Sequence, residues 1–343
     1  MKSCTIIIPT FNRSNSIKKL LKYIVDFQIK CPIIIADGSS SKFHRKKNIL
    51  NIKKINSHLR NNKAITYFFS SSFFTKRLFL ASKKVKTPFC KINADDDFFS
   101  KEYILESIQK LKIDSQLASV SGYSLSAHVH KNSLNFTLGD SSFNLGQSPI
   151  ERLLNDKRNF YAWTVYKSDF LKLIMSRVVK ITENISPNTS FNEAMILRIW
   201  AYVMKSYTLL KGKVSFVNCC ENITFYHKLN WGKKHKIAST VLFFFTNKFN
   251  KSIINLNLFI KKDFRLSDEK AKIFTHTLLI KDKHYVLEKN NYNFFIKILN
   301  LNLIRLIQNL IRILLFVYYK FMIMLPKDGK NLVKYLKKNF KSK

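Results

Sequence analysis

Short, continuous apolar runs alternate with segments of helical periodicity in this chain, and this alternation restricts the possible folds more than any other feature. The clearest runs occupy 5–9, 32–36, 65–69 and 88–93. Between the first two runs, the apolar residues from Ile17 to Val25 recur at the spacing of one helical face. Runs without polar alternation are typical of parallel strands that helices cover on both faces. The pattern therefore predicts an open α/β sheet flanked by helices.

The same pattern predicts how the chain is divided. Further strands are expected at 117–123, 160–166, 207–217 and 222–226, and a helix is expected at 191–204. Beyond about residue 235 the periodicity is helical, so we expect an α/β domain over 1–235 and a helical, basic, amphipathic extension over 236–343. The five cysteines have no metal-binding spacing, which is typical of buried, reduced thiols in a cytosolic protein.

Three adjacent acids, Asp95, Asp96 and Asp97, follow the fourth apolar run in a chain that is otherwise strongly basic. The chain has 60 Lys and Arg against 21 Asp and Glu, a formal net charge of +39, which favours an anionic partner. Adjacent carboxylates repel one another unless a cation lies between them, and Mg²⁺ or Mn²⁺ prefers carboxylate oxygen. On an extended strand end Asp95 and Asp97 project to one side, so we expect these two to bind metal. The alternative is a turn whose acids stabilise the next helix.

Two further polar loops end neighbouring strands of the predicted sheet. Asp37 closes the second run, where an acid can accept a hydrogen bond from a ribose hydroxyl or a base N–H, although Asp-Gly-Ser is also a common turn. The loop 9–13, Pro-Thr-Phe-Asn-Arg, closes the first run. Because the carboxyl ends of parallel strands lie on one sheet edge, we expect both loops to meet the acid cluster.

Together, Thr5–Arg13, Ile33–Ser39 and Ala94–Phe98 resemble the motifs of family 2 glycosyltransferases of the GT-A fold. The order matches that family's first strand, its nucleobase-binding Asp and its DxD motif, with the best agreement over 1–110. The resemblance implies a Rossmann-like mixed sheet flanked by helices, with an α-helical C-terminal extension. It also implies transfer of a sugar from a nucleotide donor, UDP or another nucleoside diphosphate, to a glycan or lipid-linked glycan in surface polysaccharide biosynthesis, with inversion.

The resemblance assigns roles to particular residues. The nucleotide-sugar would be held by Pro9, Thr10, Asn12, Arg13, Asp37, Asp95 and Asp96. The Mn²⁺ or Mg²⁺ ion would be held by Asp95 and Asp97, with His227 as a third ligand or a phosphate contact. The family's usual motif is Asp-x-Asp-Asp, so the register on the three acids stays open by one residue. For His227, a surface position is an equal alternative.

Glu193 is the expected general base, because inverting members carry a Glu-Asp pair at the start of a late helix. Here the second position of the pair is Ala194, a departure from the family pattern. A carboxylate suits the removal of a proton from an acceptor hydroxyl. The alternative is an exposed acid that the helix N-terminus favours.

The C-terminal extension carries a separate prediction. Wound as a helix, 294–325 places its basic and amide residues on one face and its apolar residues on the rest, and a lysine-rich tail follows. This pattern is typical of an interfacial helix on an anionic membrane, although a helix packed on the catalytic domain explains it equally. We therefore expect a cytoplasmic protein, bound through 294–343 to the inner face of the plasma membrane.

Two other functions remain as alternatives. A nucleotidyltransferase on a related sheet needs a Gly-rich phosphate loop after the first strand, and the loop 9–13 has no glycine. A non-catalytic nucleic-acid-binding protein would explain the charge, but the sequence has no zinc-finger spacing and no RNA-binding aromatic motif, so no nucleic-acid partner is expected.

Overall fold

The computed structural model describes residues 1–58, 65–130, 133–138, 146–156, 161–226, 246–280 and 327–339. Its strands are β1 (Cys4–Thr10), β2 (Ile33–Asp37), β3 (Ile65–Phe69), β4 (Phe89–Ile92), β5 (Leu117–His130), β6 (Ser133–Leu138), β7 (Val165–Lys167) and β8 (Lys213–Tyr226). Its helices are α1 (Ser14–Asp26), α2 (Lys42–His58), α3 (Phe74–Lys83), α4 (Lys101–Ile113), α5 (Pro149–Asn155), α6 (Ser168–Thr182), α7 (Ser190–Lys211), α8 (Asn247–Phe264), α9 (268–280) and α10 (Lys327–Asn339).

The strands form one mixed sheet. Its order is β3-β2-β1-β4-β7-β5-β6, and β8 pairs with the other edge of β5. The pairs β1–β2, β2–β3 and β1–β4 are parallel, whereas β7 runs antiparallel to both β4 and β5. Thr10 lies opposite Asp37, and Ile7 lies opposite Ile92, so the carboxyl ends of β1, β2 and β4 share one edge. The predicted fold class, a mixed α/β sheet flanked by helices, is confirmed.

Helices cover both faces of the sheet, which explains why the parallel strands are continuously apolar. Ile6 and Ile8 belong to the core on the face that also contains α1, α4 and α10. Ile7 and Ile34 belong to the core on the opposite face, with α3, α6 and α7. The strands β1, β2 and β4 therefore bury alternate side chains in two different cores, whereas the edge strand β3 exposes Thr66 and Phe69.

Part of the predicted extension packs on the α/β domain. Phe249, Leu256 and Ile260 of α8 are fully buried in the same core as α6 and α7. Arg177 on α6 forms two 2.6 Å hydrogen bonds to Asp263 at the end of α8. The boundary at residue 235 stays a prediction, but α8 shares its core with the helices that precede that boundary.

The structure differs from the sequence-based elements between 160 and 217. The expected strand at 160–166 is reduced to β7, and α6 was not predicted. The expected strand at 207–217 is wrong at its start, because α7 continues to Lys211 and β8 begins only at Lys213. Gly212 separates them, and a Cβ at this position would lie 2.0 Å from the Gln116 carbonyl oxygen. The helix end is therefore set by a close approach between backbones, which periodicity does not reveal.

The last described helix, α10, packs on the same face of the sheet as α1 and α4. Leu332, Val333 and Leu336 are buried against the core of α1 and α4. Asp328 accepts hydrogen bonds from the Cys220 backbone N–H at 2.7 Å and from the Tyr123 hydroxyl at 3.2 Å. The amphipathic segment predicted at 294–325 lies outside the described residues. Among the helices that are described, none combines the length and the apolar character needed to cross a membrane.

Candidate functional site

The loop after β1 reaches the acid cluster after β4. The Thr10 hydroxyl donates to Asp95 Oδ2 at 2.6 Å. The Arg13 guanidinium bridges two acids, with Nη1 2.9 Å from Asp95 Oδ1 and Nη2 2.5 Å from Asp96 Oδ2. Both Thr10 and Arg13 were predicted to lie at the site. The expected meeting of the first loop with the acid cluster is confirmed.

The three acids lie in a turn, so the strand alternation expected for them is wrong. The Asp97 N–H donates to the Ala94 carbonyl at 3.3 Å, and the buried Asn93 amide donates to the carbonyls of Ala94 and Asp97. The turn places Asp95 and Asp96 together on Arg13, because alternation applies only to extended backbone. Asp97 is instead buried near the side chains of Lys91 and Asn222. Which two acids bind a metal stays a prediction.

Burial makes the charged forms of the side chains at the acid turn costly. It raises the pKa of Asp95 to about 7, and the neighbouring Arg13 only partly offsets this effect. Burial also raises the pKa of Asp97 well above its usual range, and the nearby Asp96 charge acts in the same direction. Lys91 is fully buried, and this burial lowers its pKa to about 8. Such shifts are typical of functional sites, where carboxylates are held ready for a positive ligand.

Asp37 organises the loop after β2. It is completely buried and accepts three hydrogen bonds, from the Ser39 backbone N–H at 2.7 Å, the Asn48 amide at 2.9 Å and the Tyr67 hydroxyl at 2.9 Å. A carboxylate has about four acceptor sites, so one site remains for a ligand. Asp37 therefore fixes the shape of this loop and retains limited capacity for a direct contact.

Asn12 joins the first two loops. Its backbone φ is +54°, a left-handed conformation that Asn tolerates better than most residues. Its backbone N–H donates to Ser39 Oγ at 2.8 Å, and its amide donates to Ser40 Oγ at 2.9 Å. Its side-chain oxygen accepts from the Ser41 N–H at 3.1 Å. The three strand-end loops thus form one connected surface, with Asn12 on the β2 side and Thr10 and Arg13 on the β4 side.

Arg77 on α3 is a site residue that the sequence analysis missed. It is 4% exposed, and a Cβ at Gly38 would lie 1.7 Å from its Nη1 atom. Burial lowers the pKa of Arg77, and the charges of Asp37 and Asp95 oppose this effect. Its Nη1 donates to the Ser72 carbonyl at 3.0 Å, and within the described residues its Nε has no hydrogen-bond partner. The sequence signal that could have identified Arg77 is its place among the apolar residues of α3, where a buried arginine needs a charged partner.

The remaining predicted residues lie in different surroundings. Pro9 is in β1, opposite Ala36 of β2. Glu193 is in the first turn of α7 and is half-buried, and its carboxylate makes no hydrogen bond or ion pair within the part of the chain that the structure describes. His227 lies outside the described residues.

The carboxylates of the acid turn suit a divalent cation. Two carboxylates converge on a single positive charge, that of Arg13, and carboxylate oxygen is the ligand that Mg²⁺ and Mn²⁺ prefer. Among the described residues no group of three His, Cys, Asp or Glu side chains is placed to hold an ion. Asp95 and Asp96 could therefore supply two ligands, and substrate phosphate or water would complete the shell.

Of the comparisons with known proteins, the one with solved structures gives matches. No protein-family model and no curated protein matches the sequence. The structure resembles that of S. aureus TarS, with a TM-score of 0.48 and 13% identity over 81% of this chain. This match spans 43% of that TarS chain. TarS 1–349 matches with a TM-score of 0.48 and 15% identity, over 81% of this chain and 71% of that one. TarS 1–349 in complex with UDP-GlcNAc gives 0.43 and 14%, over 78% and 74%.

Proposed function

We propose that this protein is a glycosyltransferase that uses a nucleotide-sugar donor. The observation that carries the proposal is the junction of three strand-end loops, in which Thr10 and Arg13 contact the acid turn and Asn12 contacts the loop of Asp37. A buried guanidinium, Arg77, lies within electrostatic range of Asp37 and Asp95. A site that combines hydrogen-bonding loops, two arginines and paired carboxylates suits a ligand with a polar base, a ribose and a diphosphate.

Each part of the junction has a role in this proposal. The loop from Asp37 to Ser41 and Asn12 would hold the base and ribose. Arg13 would donate to phosphate oxygens, and Arg77 would supply a second positive charge beside the base and ribose. Asp95 and Asp96 would bind Mn²⁺ or Mg²⁺, with Asp97 and His227 as the other ligands implied by the motif resemblance. A bound ion would offset the charge that develops on the departing diphosphate.

Glu193 remains the proposed general base of an inverting displacement. Its side chain is not committed to any partner among the described residues, so it is available to an acceptor hydroxyl. In this step the acceptor oxygen would form its bond to the anomeric carbon, the bond to the diphosphate would break, and Glu193 would take the hydroxyl proton. The acceptor would be a glycan or a lipid-linked glycan.

Nucleotide binding tests the proposal most directly. We expect UDP, or another nucleoside diphosphate, to raise the melting temperature in the presence of Mn²⁺. UDP and UDP-GlcNAc are the first ligands to test, because TarS has been crystallised with both. Gly38→Ala should lower the affinity about tenfold or more, since its new Cβ would lie 1.7 Å from Arg77 Nη1 and must displace the guanidinium. Stabilisation by nucleic acid but by no nucleoside diphosphate would instead support the nucleic-acid-binding alternative.

We also propose that the C-terminal region, 294–343, binds an anionic membrane surface at the cytoplasmic face of the plasma membrane. Of this region the structure describes α10, whose apolar residues are buried in the core while Lys330, Lys334, Lys337 and Lys338 are exposed. Each exposed lysine near an acidic leaflet contributes about 1 kcal/mol, decreasing with salt. Such a location suits an enzyme with a lipid-linked acceptor.

Replacing these four lysines of α10 with glutamine is expected to weaken binding to vesicles that contain phosphatidylglycerol. A matched control changes four exposed lysines on α8 and α9, namely Lys248, Lys251, Lys262 and Lys270. Both variants lose the same charge, so vesicle flotation separates a local surface from the effect of net charge. Equal losses in the two variants would rule out a dedicated surface on α10.

A further inference from the structure

Arg13 occupies the position between Asp95 and Asp96 that a divalent cation would need. Its two nitrogens lie 2.9 Å from Asp95 Oδ1 and 2.5 Å from Asp96 Oδ2. The other oxygen of Asp95 accepts the Thr10 hydroxyl. Each oxygen of Asp95 therefore already has a protein partner, and an ion placed between the two carboxylates would have to take the position of the guanidinium.

The Arg13 side chain is more accessible to solvent than the Asp95 carboxylate that it contacts. Its side chain is 34% exposed, whereas that of Asp95 is 3% exposed. It stands at the N-cap of α1, where no side chain caps the helix, so its movement would break no capping bond. Asp95 is buried and Asp96 is partly buried, so leaving this acid pair without a cation is costly, because poorly solvated carboxylates repel each other. The guanidinium should therefore leave only when another cation replaces it and a new anion accepts it.

We propose that Arg13 is an exchangeable internal cation that keeps divalent metal off Asp95 and Asp96 until a nucleoside diphosphate arrives. The inference rests on the proposed function, because the diphosphate is the anion that accepts the displaced guanidinium. Metal and nucleotide then bind together: the ion takes the two carboxylates, and Arg13 donates to phosphate oxygens. Free metal brings no anion that could accept the displaced guanidinium, so metal alone binds weakly.

Mn²⁺ binding measured by electron paramagnetic resonance, without nucleotide, tests the inference. Arg13→Gln is expected to bind Mn²⁺ at least about tenfold more tightly than the wild-type protein, because no guanidinium then lies between Asp95 and Asp96. The matched control Arg265→Gln removes an exposed guanidinium at the end of α8 and should bind Mn²⁺ like the wild type. Melting temperatures of all three proteins, at one ionic strength, establish that each is folded.

A second series adds UDP. The wild-type protein should then bind Mn²⁺ nearly as tightly as nucleotide-free Arg13→Gln does. Equal Mn²⁺ affinity of wild type and Arg13→Gln without nucleotide, including the absence of binding in both, would overturn the inference about Arg13. Failure of every protein to bind UDP would instead overturn the proposed function, and the nucleotide-free comparison would still decide whether Arg13 excludes metal.

Discussion

Asp95→Asn is expected to weaken binding of a nucleoside diphosphate in the presence of Mn²⁺ by at least about 100-fold. The asparagine keeps the shape of the side chain and can still accept from the Thr10 hydroxyl. It removes the charge that Arg13 and a metal ion both require. Calorimetric titration with UDP and Mn²⁺ measures this loss. Asp169→Asn is the control, because Asp169 is 97% exposed and forms a surface ion pair with Lys172.

The same substitution is expected to stabilise the fold. The pKa of Asp95 in the folded protein is about 7, above its ordinary value of 3.8, so the folded state holds this proton more tightly than the unfolded state. The stability linked to Asp95 is therefore fully present below about pH 4 and is lost as the pH rises through about 7. At pH 7.5 and above, Asp95→Asn should be more stable than wild type by on the order of a few kcal/mol.

Denaturation at pH 5 and pH 7.5 measures this difference. Wild type should lose stability relative to Asp95→Asn over that interval, whereas Asp169→Asn should follow the wild type. Parallel pH profiles for wild type and Asp95→Asn would contradict the burial argument. A gain in stability that accompanies a loss of ligand binding is the behaviour expected where a site is maintained at the expense of the fold.

Removal of residues 327–343 is expected to destabilise the protein strongly. Leu332, Val333 and Leu336 are at least 96% buried, and at about 1.5 to 3 kcal/mol each their loss corresponds to roughly 5 to 9 kcal/mol as an upper estimate. The truncation also leaves the Cys220 N–H without the Asp328 carboxylate. This cost is comparable to the whole stability of a typical domain, so we expect a large drop in melting temperature or failure to fold.

The truncation should affect the site as well, because β8 connects α10 to the acid turn. Asp328 accepts from Cys220, the Cys220 carbonyl accepts from the Ser100 N–H, and Ile223 pairs with Phe98 directly after Asp97. Leu336→Ala is a milder variant that should cost about 2 to 5 kcal/mol and leave a folded protein. Its nucleotide affinity can then be measured. An unchanged melting temperature in both variants would show that α10 is not part of the core.

The burial of α10 in the core changes how membrane binding must be examined. Deleting the C-terminal region removes core residues along with surface charge, so a change in partitioning would not identify the cause. The exchange of four exposed lysines on α10 avoids this confusion, because none of them contributes to the buried face.

The parallel half of the sheet could be predicted closely, because β1 to β4 are short apolar runs bounded by polar loops. In the structure these four strands lie side by side in the order β3-β2-β1-β4. The region from 160 to 217 could not. The helix α6 and the three-residue strand β7 are defined by their packing against β4 and α7, and Gly212 ends α7 because of the nearby Gln116 backbone. The periodicity of a segment does not show which distant elements it packs against.

At the site, the sequence by itself determined which loops meet, because strand order places Thr10, Asp37 and the acid turn on one sheet edge. Only the tertiary structure decided how the charges pair. The turn at Ala94–Asp97 directs Asp95 and Asp96 to Arg13 and buries Asp97 near Lys91, and helix α3 brings Arg77 over Gly38. The physical reason is that hydrogen bonds and burial among residues distant in the chain fix the direction of each side chain, whereas sequence spacing fixes only the strand on which it lies.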